Sequence, residues 1–195
     1  MSGNASSRRV DAGASAGSVE TERLVLAPWG DDQLGDFARI CADVRVVEFI
    51  TGGEPVDEAH VREIHQRTLR LWRDHGYGPW AAFEKESGRW IGRVGLNLLP
   101  DWPGRDKWEI GYELDPAFWG RGLATEGAHA GVRYGFEVAG LERIISVTVP
   151  ANRASWRVME KCGLTRQGEL EWRETKVVWY AIDRRAWRNA IWQPK

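Results

Sequence analysis

The stretch EIGYELDPAFWGRGLATEGAHAGVRYGFEVAGLERIISVTVPANRASWRVMEKCGL, which runs from Glu109 to Leu164, decides the fold of this chain. It reads as a strand, a glycine turn, a helix, a second strand and a second helix. Aromatic and branched residues from Lys107 to Leu114 form the strand-like run, and Asp115-Pro116 ends it with a turn signal. Strands that alternate with helices in this way indicate a mixed α/β fold.

The glycine turn before the first helix has the features of a phosphate-binding site. Gly120 and Gly122 leave backbone N–H groups uncovered, and the helix start adds its partial positive charge. Phosphate oxygens bind such a site with few side chains, and the Arg121 guanidinium can add a charge-assisted contact. The predicted ligand-binding residues of this turn are Gly120, Arg121, Gly122, Leu123, Ala124 and Thr125.

The turn matches neither of the two common phosphate motifs. No Lys-Ser or Lys-Thr pair follows Gly122, as a P-loop requires, and Thr125 stands where the dinucleotide fingerprint needs its third glycine. Glycines also serve tight packing of a strand against a helix. From the turn alone, a structural role and a phosphate site both remain open.

Two ordered motifs lie on either side of the second strand. Trp119 to Ala124 fits the pattern Gln/Arg-x-x-Gly-x-Gly/Ala at its two small residues, with tryptophan at the first position. Asn152 and Ser155, with the run RVMEKCGL, form the second motif. On these residues the chain resembles the GNAT superfamily of acetyl-CoA-dependent N-acetyltransferases. Within it, the chain is similar to the RimJ/RimL-type branch, which acetylates protein N-termini.

The likeness extends from Glu20 to Ile182, and TERLVLAPW at Thr21 to Trp29 resembles the opening strand of the branch. It implies the GNAT fold, a central, mostly antiparallel mixed sheet flanked by about four helices, with parallel strands 4 and 5 splayed apart. In the family the pantetheine arm of acetyl-CoA lies in that gap like an extra strand. The implied contacts are the backbone around Tyr112, Glu113 and Leu114, and the side chain of Asn152.

The acid of the reaction departs from the usual family pattern. Many members carry a tyrosine seven positions after the residue that matches Asn152, but here that position is Met159, which cannot donate a proton. The protein-N-terminus branch instead uses the serine that corresponds to Ser155. A serine or an asparagine near a helix start is also a common cap, so capping and catalysis both remain open for Ser155.

The sequence identifies the base of the reaction less clearly than the acid. Glu109 and Glu113 alternate onto one face of the strand. The position of a catalytic glutamate in some relatives falls on Trp108, one residue away, so a bulge would be needed to bring Glu109 onto that face. The remaining alternatives are a strand-surface carboxylate and proton transfer through water.

Local patterns predict the other elements. The helices that follow the first strand cover the acceptor site in the family, and His65 on the second of them either faces an acceptor or is a half-buried structural residue. Gly127, Gly131 and Gly135 recur every fourth residue of the next helix, which either admits a close neighbour or reflects composition alone. The predicted strands are 23–27, 80–84, 90–98, 107–114, 143–149, 169–172 and 176–182, and the predicted helices are 31–42, 57–76, 125–140, 151–161 and a short one after Asp183.

Composition limits the function further. The 27 basic and 28 acidic residues give a net charge of −1, which favours neither nucleic acid nor an anionic membrane as a partner. No apolar run approaches the roughly 20 residues that span a bilayer. Two cysteines favour a reducing cytoplasm over a disulfide, and the four histidines form no metal-ligand grouping, so no metal is expected. Met1 to Ser18, rich in Ser, Ala and Gly, is predicted to be a disordered tail before a single domain at 19–195.

The sequence therefore predicts an N-acetyltransferase that moves an acetyl group from acetyl-CoA to a primary amine by direct attack in a ternary complex. The amine is either a protein N-terminus or a small molecule, and the resemblance also allows a homodimer. A CoA-binding or regulatory module that has lost catalysis remains the alternative, because Met159 replaces the usual acid and the base is uncertain. A nucleotide-binding domain is disfavoured by the missing P-loop lysine.

Overall fold

The computed structural model describes residues 16–54 and 56–191, and these form eight strands and six helices. The strands are β1 (Val19–Glu20), β2 (Leu24–Ala27), β3 (Pro79–Glu84), β4 (Trp90–Leu98), β5 (Trp108–Leu114), β6 (Arg143–Thr148), β7 (Thr165–Trp172) and β8 (Thr175–Asp183). The helices are α1 (Leu34–Cys41), α2 (Val44–Val47), α3 (Glu58–His75), α4 (Leu123–Glu137), α5 (Arg153–Lys161) and α6 (Arg184–Ile191).

The strands form one mixed sheet in the order β1-β2-β3-β4-β5-β6-β8-β7. Neighbouring strands are antiparallel except β5 and β6, which are parallel and share a single residue pair, Glu109 with Ile145. Beyond that pair the two strands diverge, so no strand of the described residues lies beside the edge of β5 from Gly111 to Leu114 on that side. The predicted mixed sheet with splayed parallel strands is confirmed.

The helix boundaries follow local signals where these are strong. Asp57 accepts a hydrogen bond from the His60 N–H group (2.7 Å) at the start of α3, and Gly76 ends the helix in a left-handed conformation with φ of 75°. The helix predicted from residue 31 instead begins as a short 3₁₀ turn, and α1 ends at Cys41. Asp43 then caps the unpredicted α2, because its carboxylate accepts from Arg45 N–H. Within residues 16–54 and 56–191 the helix count is therefore six, not about four.

The glycine stripe of α4 lets this helix lie directly on the sheet. A Cβ atom at Gly127 would lie 2.8 Å from Val94 Cγ1, and one at Gly131 would lie 2.5 Å from Ile110 Cδ1. These distances are shorter than van der Waals contact, so a side chain there would require either the neighbouring side chains of β4 and β5 or the helix itself to shift. The stripe thus has a packing role, and composition alone does not explain it.

The two faces of the sheet carry different layers. The helices α4 and α5 cover one face, where Ile110 and Leu114 of β5 belong to the main apolar core. On the opposite face α1 and α3 form a second cluster, and the loop after β4 forms a third around Trp102. Because side chains alternate along β5, Glu109 and Glu113 lie on this opposite face.

The N-terminal tail prediction falls mainly outside the described residues, since the structure describes the chain only from residue 16. Within the last part of the predicted tail, the carbonyl oxygen of Gly17 accepts a hydrogen bond from Trp80 Nε1 (2.7 Å). Cys41 and Cys162 are both buried and free. In the part of the chain that the structure describes, no helix combines the length and the apolar character needed to cross a bilayer.

Candidate functional site

A cavity of about 420 Å³ opens at the end of β5. Its walls are the last residues of β5, the turn before α4, the first turns of α5 and the segment that begins in α2. Of the residues predicted to bind the ligand, it brings together Tyr112, Glu113, Leu114, Gly120, Gly122, Leu123, Ala124, Thr125 and Asn152, with the predicted acid Ser155. Arg121 and Glu109 are not among its lining residues.

The turn before α4 presents bare backbone to this cavity. Gly120 and Gly122 have φ angles of 74° and 79°, which residues with side chains rarely adopt, and Gly122 is the N-cap of the helix. The first hydrogen bond of the helix runs from Glu126 N–H to Gly122 O (3.0 Å). The N–H groups of Leu123, Ala124 and Thr125 therefore have no partner within the helix. This geometry suits an anion such as a phosphate.

A contact from the start of the chain holds the turn in place. Arg23 Nε donates to Glu126 Oε2 (2.6 Å), and Arg23 Nη1 donates to the carbonyl oxygen of Arg121 (2.8 Å). The Thr21 hydroxyl also donates to Glu126 Oε1 (2.6 Å). Burial is the largest single influence on the Glu126 carboxyl and acts to raise its pKa, but the bonds from Thr21 and Arg23 together outweigh it and lower the pKa. Sequence reasoning missed this support, because no local pattern links residues so far apart.

The side chain of Arg121 does not point to the cavity as the sequence had suggested. Its guanidinium forms an ion pair with the buried carboxylate of Glu84 and lies 3.7 Å from Glu86. It also stands 5.5 Å from the ring centre of Phe118. Two carboxylates on the β3–β4 hairpin therefore engage the Arg121 side chain in this structure, and its contact to phosphate stays a prediction.

Three other cations line the cavity instead. Arg45 lies just inside α2, and Arg157 and Lys161 are one helical turn apart on α5. The Arg45 guanidinium is 2.6 Å from Asp43, while Arg157 and Lys161 are solvent-exposed. Sequence reasoning missed all three. The spacing of Arg157 and Lys161 was a usable signal, since residues four apart share one face of a helix.

Asn152, and not Ser155, caps α5. The Asn152 Oδ1 atom accepts a hydrogen bond from the Ser155 N–H group (3.1 Å). The Ser155 hydroxyl is left for another partner, and its Oγ lies 2.8 Å from the phenolic oxygen of Tyr112. The alternative in which the Ser155 side chain is only a cap is therefore wrong.

Tyr112 supplies a phenol close to the position of the predicted acid. Its oxygen also lies 3.1 Å from the Ser155 carbonyl oxygen, and burial raises the pKa of the phenol above its ordinary range. Met159, at the position where relatives carry tyrosine, is 1% exposed and packs in the main core. Sequence reasoning expected only backbone contacts from Tyr112, because its partner comes from a different element.

Glu109 lies on the other face of β5, beside the point where the strands separate. Its Oε1 accepts a hydrogen bond from Val147 N–H of β6 (3.1 Å). Burial raises the pKa of this carboxyl to about 7, although the bond from Val147 and the charges of Arg93 and Arg67 act in the opposite direction. A carboxyl in this range can accept a proton near neutral pH.

The bulge that was considered for this strand does not occur. β5 pairs with β4 in unbroken register, from Gly92 opposite Leu114 to Leu98 opposite Trp108. Without the bulge, Glu109 does not take the position of the catalytic glutamate that some relatives carry.

Glu113, the second candidate on this face, forms a two-point ion pair with Arg93. Nε of Arg93 donates to Glu113 Oε2, and Nη2 donates to Oε1 at a distance of 3.0 Å. The carboxylate of Glu113 is engaged, so Glu109 stays a candidate base only because it is unpaired with an arginine of the described residues and has a raised pKa.

His65 has a structural role. It is 2% exposed, and its Nδ1 accepts a hydrogen bond from Trp29 Nε1 (2.9 Å). The His65 ring therefore links α3 to the segment that follows β2. It does not face an acceptor. Among the described residues, no group of three or more His, Cys, Asp or Glu side chains is placed to hold a metal ion.

Comparison with known proteins agrees with this architecture. The chain is similar to the FsC-acetyl coenzyme A-N(2)-transacetylase of Aspergillus fumigatus, with 28% identity over 91% of this chain and 84% of that protein. The crystal structure of an acetyltransferase from Agrobacterium tumefaciens is 28% identical and covers 86% of this chain and 95% of its own, with a TM-score of 0.76. The RimL ribosomal L7/L12 alpha-N-protein acetyltransferase shares the fold at 18% identity, with a TM-score of 0.71 over 85% of this chain and 97% of its own.

The splayed sheet and these likenesses define an acyltransferase. A family model described as the acetyltransferase (GNAT) domain matches residues 23–165, which is most of the chain. The chain therefore belongs to the GNAT acetyltransferase family, whose members carry out acetyl-CoA-dependent acetylation.

Proposed function

We propose that this protein transfers an acetyl group from acetyl-CoA to a primary amine by direct attack in a ternary complex. The observation that carries the proposal is the arrangement around β5. The cavity with its bare helix start and the Ser155–Tyr112 pair lies at the end of this strand, and Glu109 lies on its other face. Two proton-handling groups are thus available at one splayed strand, as transfer from a thioester to an amine requires.

The cavity residues fit the chemistry of acetyl-CoA. The N–H groups of Leu123 to Thr125 and the cations Arg45, Arg157 and Lys161 suit its phosphates. The open edge of β5 from Gly111 to Leu114 can bond to the amide groups of the pantetheine arm as a neighbouring strand would. When bound, acetyl-CoA supplies the thioester that is attacked. A backbone N–H of β5 near its carbonyl oxygen would stabilise the charge that develops there.

Ser155 is the proposed acid. Ser155 lines the cavity, and its hydroxyl does not serve as a helix cap, because Asn152 caps α5. Tyr112 can donate its own proton to Ser155 Oγ, so that the serine proton is available to the departing sulfur. A neutral hydroxyl acts here through a hydrogen bond that strengthens as negative charge develops on that sulfur.

Glu109 is the proposed base. A primary amine is largely protonated at neutral pH and must lose a proton before it can attack. With a pKa of about 7, the Glu109 carboxyl is ionised often enough to accept that proton and is basic enough to hold it. The proton moves directly or through a water molecule. Holding the amine and the thioester together supplies the rest of the acceleration.

A turnover assay with an amine panel tests the proposal. Release of free thiol from acetyl-CoA, measured with peptides of varied N-terminus and with small amines, should show at least one amine-dependent activity. The peptides test the RimJ/RimL-type branch directly. If the protein binds acetyl-CoA but none of the amines increases thiol release, the alternative of a binding module without catalysis would hold.

A further inference from the structure

The edge of β5 that borders the cavity presents the backbone groups of every second residue. In an antiparallel pair the N–H and C=O groups of one residue point to the same side of the strand, and successive residues alternate. Asp115 N–H donates to the carbonyl oxygen of Ile91 in β4 (2.8 Å), so Asp115 faces β4. Leu114, Tyr112 and Ile110 therefore direct their backbone groups away from β4, toward the open edge.

Side chains occupy the carbonyl groups at both ends of this edge. Ser146 of β6 is buried, and its hydroxyl donates to the carbonyl oxygen of Ile110 (2.9 Å). At the other end, the indole Nε1 of Trp119 donates to the carbonyl oxygen of Leu114 (2.7 Å). Within residues 16–54 and 56–191, no strand or side chain bonds to the three groups between them, which are the N–H and C=O of Tyr112 and the N–H of Leu114.

The indole of Trp119 forms a wall of the cavity that is held in one place. Trp119 and Leu114 both line the cavity, and Trp119 is 47% exposed. Exposed side chains change rotamer readily, but the bond to the Leu114 carbonyl keeps this ring across the end of β5. Trp119 is also the residue at which the glycine-turn motif departs from the Gln or Arg of the family pattern. The bond that closes this end of the edge therefore comes from the position that departs from the pattern.

The contacts of the cavity give a bound acyl-CoA one direction along this edge. The glycine turn that we propose to bind the phosphates follows Leu114, whereas the Ser155 hydroxyl lies 2.8 Å from the Tyr112 phenol. The pantetheine arm then runs from Leu114 to Tyr112, with its sulfur at the Tyr112 end. The arm has two amide groups before the thioester, so it can use both of the remaining N–H groups and the remaining carbonyl.

We infer that Trp119 is a positioning residue, which sets the register of the pantetheine arm on β5. This inference rests on the proposed function. Because the indole occupies the Leu114 carbonyl, the arm bonds to Leu114 N–H and Tyr112 C=O, and Tyr112 N–H is left for the thioester carbonyl. If the Leu114 carbonyl were free, the arm could bond two residues nearer to the turn, a displacement of about 7 Å. The thioester would then stop short of the Ser155 hydroxyl.

Such a displacement costs rate more than affinity. The arm makes a similar number of bonds in either register, so the ground state is bound about equally well. The transition state loses its alignment with the acid, and only interactions that are stronger in the transition state accelerate the reaction. A role of Trp119 in the register is therefore distinguishable from a role in binding alone.

The variant Trp119→Phe tests this role, because it keeps an aromatic ring and removes the N–H group. We expect kcat to fall by about 10- to 100-fold, while the Kd of acetyl-CoA changes by less than about threefold. Trp90→Phe is the matched control, since it removes a buried indole N–H that has no partner among the described residues, and it should change neither quantity. An unchanged kcat in Trp119→Phe, a loss in affinity alone, or an equal loss of kcat in both variants would overturn the inference.

Carbon-13 NMR of acetyl-CoA labelled at the thioester carbonyl tests the register without any amine. A hydrogen bond to a carbonyl oxygen moves its carbon resonance downfield. The resonance should therefore move downfield on binding to the wild type, and this displacement should be lost in Trp119→Phe at saturating acetyl-CoA, where binding itself shows that the variant is folded. The same displacement in both proteins would refute the register.

A crystal structure of the complex with CoA gives a direct answer. The Leu114 carbonyl should still accept from Trp119, with the ligand on Leu114 N–H and Tyr112 C=O. A ligand bonded to the Leu114 carbonyl in the wild type would refute the inference. Both binding experiments apply where the protein binds acetyl-CoA but acetylates no amine, so failure of the proposed transfer and failure of the register are separable. A protein that does not bind acetyl-CoA would refute both.

Discussion

The phenolic oxygen of Tyr112 lies 2.8 Å from Ser155 Oγ and 3.1 Å from the Ser155 carbonyl oxygen. A phenol has one proton, so it can serve only one of these acceptors fully. When the proton goes to Oγ, the serine keeps its own proton for a group in the cavity. When it goes to the carbonyl, the phenolic oxygen can instead accept the serine proton. The first arrangement is the one that favours the acid role proposed for Ser155, because the phenol then donates to Oγ and leaves the serine proton free.

Removing the Ser155 hydroxyl should slow the reaction without unfolding the protein. Ser155→Ala should lower kcat by about 10- to 100-fold because the departing sulfur loses its hydrogen-bond donor. The affinity for acetyl-CoA and the melting temperature should stay close to those of the wild type, since Asn152 caps the helix. Ser155→Cys should retain part of the activity, and Tyr112→Phe should lower kcat with the helix cap intact. Normal turnover in Ser155→Ala would show that the sulfur leaves without this serine.

The pH dependence of the rate should report Glu109. Its pKa of about 7 means that the proposed base becomes ionised as the pH rises through neutrality, so kcat/KM should rise over the same range. Glu109→Gln keeps the shape of the side chain and its bond from Val147 but cannot accept a proton. This variant should lose the rise near pH 7. A wild-type and a variant profile of the same shape would exclude Glu109 as the base.

The substitution Glu109→Gln should also stabilise the folded protein above neutral pH, although it lowers the activity. The folded-state pKa of Glu109 lies above its ordinary value of 4.5, so the folded state binds the proton more tightly than the unfolded chain. Stability is then lost as the pH rises from about 4.5 through about 7, by up to about 1.4 kcal/mol per unit of pKa difference. Glu109→Gln should therefore melt higher than the wild type at pH 8 and at nearly the same temperature at pH 4.5. An equal difference at both pH values would contradict this assignment of the pKa.

Gly122 offers a test of the phosphate turn with a matched control. Gly122→Asp places a negative charge beside the bare N–H groups of α4, and Gly122→Asn adds a side chain of the same size without the charge. Both residues tolerate the left-handed conformation better than most others do. Calorimetry should show a loss of acetyl-CoA affinity that is much larger for Asp than for Asn. Unchanged affinity in the Asp variant would remove the turn from the binding site.

Asn152 combines a structural role with a proposed binding role, and two substitutions separate them. Asn152→Ala should cost about 1 kcal/mol of stability because the helix loses its cap. It should also weaken acetyl-CoA binding by about 1–2 kcal/mol, since the amide of Asn152 no longer bonds to the ligand. Asn152→Ser restores a capping oxygen, so it should recover the melting temperature but not the affinity. Recovery of both would mean that Asn152 acts only as a cap.

The cations of the cavity should contribute a salt-dependent share of the affinity. Lys161→Gln should weaken acetyl-CoA binding by about two- to fivefold at low salt, because exposed charge contacts contribute at most about 1 kcal/mol. The effect should shrink at high salt, where such contacts are screened. Lys176→Gln, an exposed lysine that pairs with Glu169, is the control and should leave the affinity unchanged. A loss that is independent of salt would indicate that Lys161 acts through the helix and not through charge.

Features encoded by neighbouring residues could be predicted from the sequence. Asp57 and Gly76 mark the ends of α3 by themselves, and Gly120 with Gly122 marks the turn before α4. The alternation of side chains along β5 was enough to predict that Glu109 and Glu113 share one face. It did not predict the ion pair between Glu113 and Arg93.

The features that could not be predicted from the sequence depend on contacts between residues that are far apart in the chain. The Tyr112 hydroxyl contacts Ser155, which lies 43 residues further along the chain, and no local sequence pattern predicts a contact over that separation. Arg121 was predicted to reach the ligand because its own neighbours resemble a phosphate turn. In the structure its guanidinium pairs with Glu84 at the end of another strand, and no pattern local to the turn predicts that ion pair.

The bond between Arg23 and Glu126 joins residues 103 positions apart, and it holds the turn that faces the cavity. Closing a loop costs chain entropy, although the cost grows only slowly with the length of the loop. The conformation of the turn that we propose to bind phosphate therefore depends on the docking of the opening strand beside α4, and not on the residues of the turn alone.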